Sequence, residues 1–142
     1  MDIETLILEA RAARDRAYAP YSAFRVGAAV LARSGRVFRG TNVENGSYGL
    51  CMCAERVALF AAIADGCHRG DFTHLAIIGD TEEPLAPCGA CRQVMMELGG
   101  GQLIVVEANL RSSVRQHTMD ELLPAAFALR PPAPPAAGPA GG

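Results

Sequence analysis

The sequence predicts an α/β protein, a three-layer α/β/α sandwich built on a mixed sheet. Three observations carry this expectation. Two β-type runs, 24–32 and 37–41, flank the turn signal Arg33-Ser34-Gly35-Arg36, so an antiparallel hairpin is expected. Further on, two short apolar runs at 73–79 and 103–106 are separated by a helical segment at 91–98, and strand, helix, strand implies a parallel pair. Helical segments precede and interleave these strands, an order that suits helices on both faces of one sheet.

Taken in order, residues 3–17 carry apolar side chains at Ile3, Leu6, Ile7, Ala10, Ala13 and Ala17, a helical period behind a candidate N-cap at Asp2. Pro20 ends that helix. After the hairpin, Asn42-Val43-Glu44-Asn45-Gly46-Ser47-Tyr48-Gly49 is too rich in glycine and asparagine for regular structure. From 53 to 64 the apolar positions Val57, Leu59, Phe60, Ala61 and Ile63 leave little room for a polar face, so a buried helix is expected, closed by Asp65-Gly66. A loop with Pro84 and Pro87 follows the 73–79 strand, and Gly99-Gly100-Gly101 ends the next helix. Thr118-Met119-Asp120-Glu121 matches a capping box opening a short helix that Pro124 cuts off.

Composition bounds the class of protein. The chain has 142 residues, 50% of them hydrophobic, which suits one domain with a substantial core; that domain is expected over 1–130. Residues 131–142 are proline, alanine and glycine only, a composition that cannot bury a core, and a disordered tail is expected there. Thirteen basic against 15 acidic groups, with no basic run, give no electrostatic footprint for nucleic acid. The acidic start, Met1-Asp2-Ile3-Glu4, and the lack of any apolar stretch near the ~18 residues of a bilayer span leave no sign of a leader or membrane helix, so the cytoplasm is the expected compartment. All 13 basic residues are arginine, which one sequence cannot interpret.

Five cysteines, at 51, 53, 67, 88 and 91, are an odd number, and four of them fall in pairs at ligand-like spacing, which in a non-secreted chain, as expected here, favours metal over disulfides. Cys67, after Gly66 at a helix end, reads as an ordinary small residue. Cys53, Cys88 and Cys91 supply the three ligands of a zinc ion that keeps one position open, and both clusters fall at expected helix starts, where partial positive charge favours thiolates. Glu55, two positions after Cys53, is placed to move protons beside the metal without coordinating it. Three thiolates on Zn2+ sum to a formal charge of −1, which opposes making a nucleophile near neutral pH, so Arg56 is expected to draw charge off the sulfurs. Competing readings are a redox dithiol at Cys88-Gly-Ala-Cys91 and a closed four-cysteine structural site that recruits Cys51. Glu55 and Pro87 weigh against both: His-x-Glu followed by Pro-Cys-x-x-Cys is the signature of zinc nucleobase deaminases, with cysteine here in place of the histidine.

The motifs Tyr18-Ala-Pro-Tyr21-Ser22, Phe24-Arg25-Val26-Gly27-Ala28-Ala29, Asn42-Val43-Glu44-Asn45, Tyr48, Cys53-Ala54-Glu55-Arg56, Pro87-Cys88-Gly89-Ala90-Cys91-Arg92-Gln93 and Leu122-Leu123-Pro124 follow one another in a fixed order. In this, from about Ala17 to Phe127, the sequence resembles the small homotetrameric cytidine deaminases. The resemblance implies a mostly five-stranded sheet, zinc as cofactor, and hydrolysis of cytidine and 2′-deoxycytidine to uridine and 2′-deoxyuridine with release of ammonia. It also implies that Asn42 and Glu44 hold the ribose hydroxyls, that the Ala54 backbone and Glu55 read the pyrimidine, and that Phe24 packs beside the substrate. Tyr48 and Phe127 would reach the pocket of a neighbouring subunit, and neither nucleic acid nor membrane would be a partner. Without the flanking motifs, Asn42 and Glu44 would read as an exposed turn and Phe127 as core packing. Cys51 is expected to face away from the zinc. Rivals are a deaminase of another aminated ring and a structural zinc module that only binds partners; Glu44 and the lack of basic surface speak against the first.

Overall fold

A computed structural model describes residues 1–130; the expected tail at 131–142 lies outside the described residues. Helix α1, Ile3–Arg14, is capped by Asp2, whose carboxylate accepts from Thr5 N at 2.7 Å. Strands β1, Val26–Ala32, and β2, Val37–Thr41, form the expected hairpin, with Gly35 of its turn at φ 91°. After a single 3-10 turn at Tyr48–Leu50 come α2, Ala54–Ala64, and β3, Phe72–Gly79. Helix α3, Gly89–Gly99, β4, Ile104–Asn109, β5, Val114–Thr118, and the four-residue α4, Met119–Leu122, complete the described chain. The capping box is present with both reciprocal bonds, Thr118 Oγ1 accepting from Glu121 N and Glu121 Oε2 from Thr118 N.

The sheet has five strands in the order β2-β1-β3-β4-β5, and β3 and β4 are its one parallel pair. Helix α1 covers one face, setting Leu6 and Ala10 on Ala29, Ala76, Ile78 and Val106. Helices α2 and α3 cover the other, where Leu59, Met95 and Met119 pack on Val30, Leu75, Ile77 and Val105. Truncating one such fully buried leucine or methionine typically costs about 2–5 kcal/mol, so each layer matters to stability.

Glycine lets the layers close. A Cβ on Gly40 in β2 would overlap the Ala54 carbonyl oxygen and the Ala58 amide nitrogen and lie 2.9 Å from Ala58 Cα. The start of α2 therefore rests directly on strand backbone.

Two expectations change. Strand β5 was not legible, because Val-Arg-Gln-His-Thr is largely polar and lies at an exposed sheet edge, where one buried face no longer imposes alternation. Helix α2 is not buried all round: Ala54, Glu55, Ala58, Leu59 and Ala62 are inside, but Phe60 and Ile63 face outward. Its apolar circumference exceeds what one sheet face can cover. Among the described residues no helix is long and apolar enough to cross a membrane.

Candidate active site

The loop after β2 is bound to the segment entering α2. Val43 and Met52 exchange both backbone hydrogen bonds at 2.9 Å, while Tyr18 N donates to Asn42 O and Glu44 N to Tyr18 O. Asn42 and Glu44 are thereby held beside Cys53, although eleven and nine positions separate them in the sequence. From the other side, the loop leaving the carboxyl end of β3 carries Pro87 and Cys88 to the start of α3, the end of a parallel strand where α/β sheets place their sites.

Cys53 is the N-cap of α2, Cys88 the N-cap of α3, and Cys91 lies in the first turn of α3. Their three sulfurs lie within 4.8 Å of one another, and Cys53 Sγ is 3.9 Å from Cys88 Sγ. Sulfurs about 2.3 Å from a tetrahedral zinc stand roughly 3.8 Å apart, so the donor set and its spacing fit that ion. Among the described residues this is the one such group of His, Cys, Asp and Glu side chains. Cys51 is not part of it. Its sulfur accepts from Asn45 N at 3.3 Å, and the residue also lines the cleft described below.

The electrostatics favour a thiolate at Cys53. A hydrogen bond from Cys91, with the Arg56 and Cys88 groups adding to it, brings the Cys53 thiol down to about 5. Cys91, hydrogen-bonded to that sulfur and buried, is pushed up; ligation by a metal would require its proton to leave. Arg56 Nη2 donates to Cys53 Sγ at 3.4 Å, which places its charge against the sulfurs as the sequence suggests. Its Nε is buried without a partner. Arg92 braces the other cluster, donating from Nε to Pro87 O and from Nη1 to Leu122 O, both at 2.9 Å.

Glu55 is 4% exposed, and burial raises its carboxyl to about 7. It lines a cleft of about 400 Å3 together with Phe24, Asn42, Glu44, Ala54, Arg56, Cys53 and Cys88. Leu85, Ala86, Met52 and Val26 line it as well; sequence reasoning missed them, since an isolated apolar residue in a proline loop or strand end carries no signal of its own. Glu44 is tightly held: Oε1 accepts from Tyr21 N at 2.9 Å and Ser22 N at 3.1 Å, and Oε2 accepts from the Ser22 hydroxyl. These bonds, the Ser22 hydroxyl first, keep its carboxyl below the usual range. Asn42 donates to Phe24 O at 2.7 Å and accepts from Val26 N at 2.8 Å.

Two residues lie elsewhere. Tyr48, 75% exposed, stands edge-on to Tyr21 over a neighbouring hollow that shares Glu44 and Cys51 with the cleft. Phe127, 70% exposed, lines a separate apolar groove with Phe60, Val94 and Leu129.

Fold and site together define a zinc-binding α/β/α protein of the hydrolytic deaminase type, with a buried carboxyl beside a group of three cysteines able to hold the metal. The family model for the cytidine and deoxycytidylate deaminase zinc-binding region matches residues 1–107. A cytidine deaminase of Halalkalibacterium halodurans is 52% identical over 127 residues, 89% of this chain and 95% of that protein. One from Sporosarcina psychrophila is 48% identical over 89% of this chain and 92% of its own length. The crystal structure of cytidine deaminase from Burkholderia pseudomallei superposes with a TM-score of 0.89 at 56% identity, covering 89% of this chain and all of that one. This chain belongs to the cytidine and deoxycytidylate deaminase family.

Proposed function

We propose that the protein deaminates cytidine and 2′-deoxycytidine hydrolytically, yielding uridine or 2′-deoxyuridine and ammonia. The observation that carries this is the buried Glu55 carboxyl at the edge of the Cys53, Cys88, Cys91 cluster, opening on the cleft that holds Asn42 and Glu44. Bound there, zinc would supply a Lewis acid that lowers the pKa of a water near the reacting carbon.

Glu55 then moves the protons. It takes one from the attacking water as the C–O bond forms and gives it to the ring nitrogen beside the reacting carbon, then takes the second from the new hydroxyl and gives it to the amine as the C–N bond breaks and ammonia leaves. A carboxyl whose pKa lies near neutral serves both directions of this transfer. Arg56 holds positive charge against Cys53 and so lowers the electron density that the sulfurs pass to the metal. The Ala54 backbone at the start of α2 reads the pyrimidine edge and Phe24 covers its face, a reading supported by both lining the cleft.

The sugar end follows from counting bonds. A carboxylate offers about four acceptor sites, and three on Glu44 are taken by Tyr21 and Ser22. One of the two Asn42 amide protons goes to Phe24 O, leaving one acceptor and one donor for a hydroxyl that donates to Glu44 and accepts from Asn42. A site built on such a pair rejects a ligand without the hydroxyl, because its polar groups would be left unpaired.

The assembly is a homotetramer in which Tyr48 and Phe127 complete the cleft of a neighbouring copy. Their exposure supports this reading, as does the fact that neither lines its own chain's cleft. So does the apolar surface at Leu50, Phe60, Ile63 and Leu129. The test is purified protein with cytidine: the ultraviolet absorbance change of deamination should appear, vanish with a strong chelator and return with Zn2+. A zinc-loaded protein giving no change would overturn the proposal in favour of a structural zinc module.

A further inference from the structure

Glu107 takes no part in the chemistry above, yet it is the one fully buried charged side chain among the described residues' core strands, 0% exposed. It sits on β4 directly opposite Arg115 of β5, and His117 is the next residue on the same face. Arg115 Nε donates to Glu107 Oε2 at 2.6 Å, and His117 Nδ1 lies 3.3 Å from Oε1. A buried carboxylate costs several kcal/mol to desolvate, and a well-packed apolar pair would hold two strands together as well or better. An apolar pair could not offer what Arg115 offers next: its Nη2 reaches the carbonyl of Pro84 at 3.4 Å.

That carbonyl belongs to the loop that carries Cys88. The two residues after Glu107 hold the same loop, with Leu85 N donating to Ala108 O at 3.2 Å and Asn109 Nδ2 to Glu82 O at 2.8 Å. The edge of the sheet thus fixes residues 82, 84 and 85 just before Pro87 and Cys88. Leu85 is the cleft-lining member of this run, packed over Gly79 where a Cβ would meet its Cδ2 at 2.8 Å.

We propose that Glu107 is a positioning residue: it aims Arg115 at Pro84 and so fixes the loop that sets Leu85 in the cleft wall and Cys88 at the metal. Displacing the loop loosens a zinc ligand and removes apolar contact that substrate meets before and during reaction alike. The first effect is faster zinc loss. The second is a higher KM with little change in kcat, the signature of lost uniform binding.

The test compares Glu107→Gln and Arg115→Lys with Leu6→Ala, a core truncation on the opposite face of the sheet. Arg115→Lys is informative because it keeps a charge for Glu107 but gives up the fork that reaches Pro84. In the zinc-loaded protein, release to a colorimetric chelator should quicken about 5- to 10-fold in both loop variants, the low end of what groups behind metal ligands typically control. Leu6→Ala should melt earlier and release zinc at the wild-type rate. KM for cytidine should rise about 3- to 10-fold in the two variants, with kcat within about twofold. Zinc release that simply follows melting temperature across all three variants would overturn the proposal, as would an Arg115→Lys enzyme equal to wild type. The KM arm rests on the deaminase reading; the zinc arm does not, so a wild-type protein inert toward cytidine would sink that reading while leaving this one decidable.

Discussion

Gly40→Ala is the sharpest test of how the fold holds the site. The added methyl would lie 2.9 Å from Ala58 Cα and closer still to the Ala54 carbonyl oxygen and Ala58 amide nitrogen, all of them backbone atoms of α2. Ordinary contact begins near 3.4 Å, so the amino-terminal half of α2 must retreat from β2 by roughly 1 Å. No side chain can swing aside to absorb this. Overpacking of this kind costs about 1–3 kcal/mol, and obstruction by rigid backbone belongs at the upper end. For a chain of this size, 3 kcal/mol corresponds to roughly 10 °C in Tm. The part of the helix that moves carries Cys53, Ala54, Glu55 and Arg56, and a displacement of about 1 Å at reacting groups can cost about 100-fold in rate. Differential scanning calorimetry, zinc content by metal analysis and kcat/KM for cytidine on the same preparation would measure all three. A variant that melts within about 1 °C of wild type would refute the packing argument. One that melts early yet keeps kcat/KM when zinc-loaded would refute the link from β2 to the site.

Other outcomes follow from single groups. Glu55→Gln should keep a full equivalent of zinc and lose about 100- to 10,000-fold in kcat, since it removes proton transfer without touching a ligand; near-normal turnover would remove Glu55 from that role. Cys51→Ala should cost no zinc, because that sulfur bonds Asn45 and stands outside the three-sulfur group, whereas Cys53→Ala should lose the metal. Thr118→Ala should destabilise the protein by about 1 kcal/mol through loss of the cap, read as a shift of the urea midpoint at constant slope. For Glu44, bonds from Ser22 and Tyr21 depress the folded-state pKa, so its contribution is fully present above the unfolded value and fades as pH falls through the folded one. The Tm difference between wild type and Glu44→Gln should therefore shrink as pH falls below the ordinary glutamate value of 4.5; a difference that grew on acidification would contradict the bonding described.

Much of this molecule was readable because local signals agreed with one another. Asp2, the Arg33 to Arg36 turn, Asp65-Gly66, the glycine run at 99–101 and the Thr118 capping box each mark an element end where the structure has one. The three-cysteine group was readable for a related reason: its sulfurs lie at or near helix starts, and helix starts are among the better signalled features of a chain. Strand β5 escaped because an exposed edge strand is under no pressure to alternate. Glu107 escaped with it, since a lone glutamate after Val105 and Val106 looks like the end of a strand rather than its buried middle.

By itself, then, the sequence determined the hairpin, the parallel pair, the helix termini and the set of chemical groups. These depend on neighbours within a few residues, and the pattern of those neighbours is the sequence. Only the tertiary structure decided that Glu44 has one acceptor site to spare, that Leu85 forms part of the cleft wall, and that Arg115 links a buried carboxylate to the zinc loop. It also left Tyr48 and Phe127 largely exposed, outside the lining of the cleft. Such facts concern groups brought together across tens of residues, where a hydrogen bond or an overlap is settled by distances of less than an ångström. No local preference encodes a distance of that kind; it follows from how every layer packs at once.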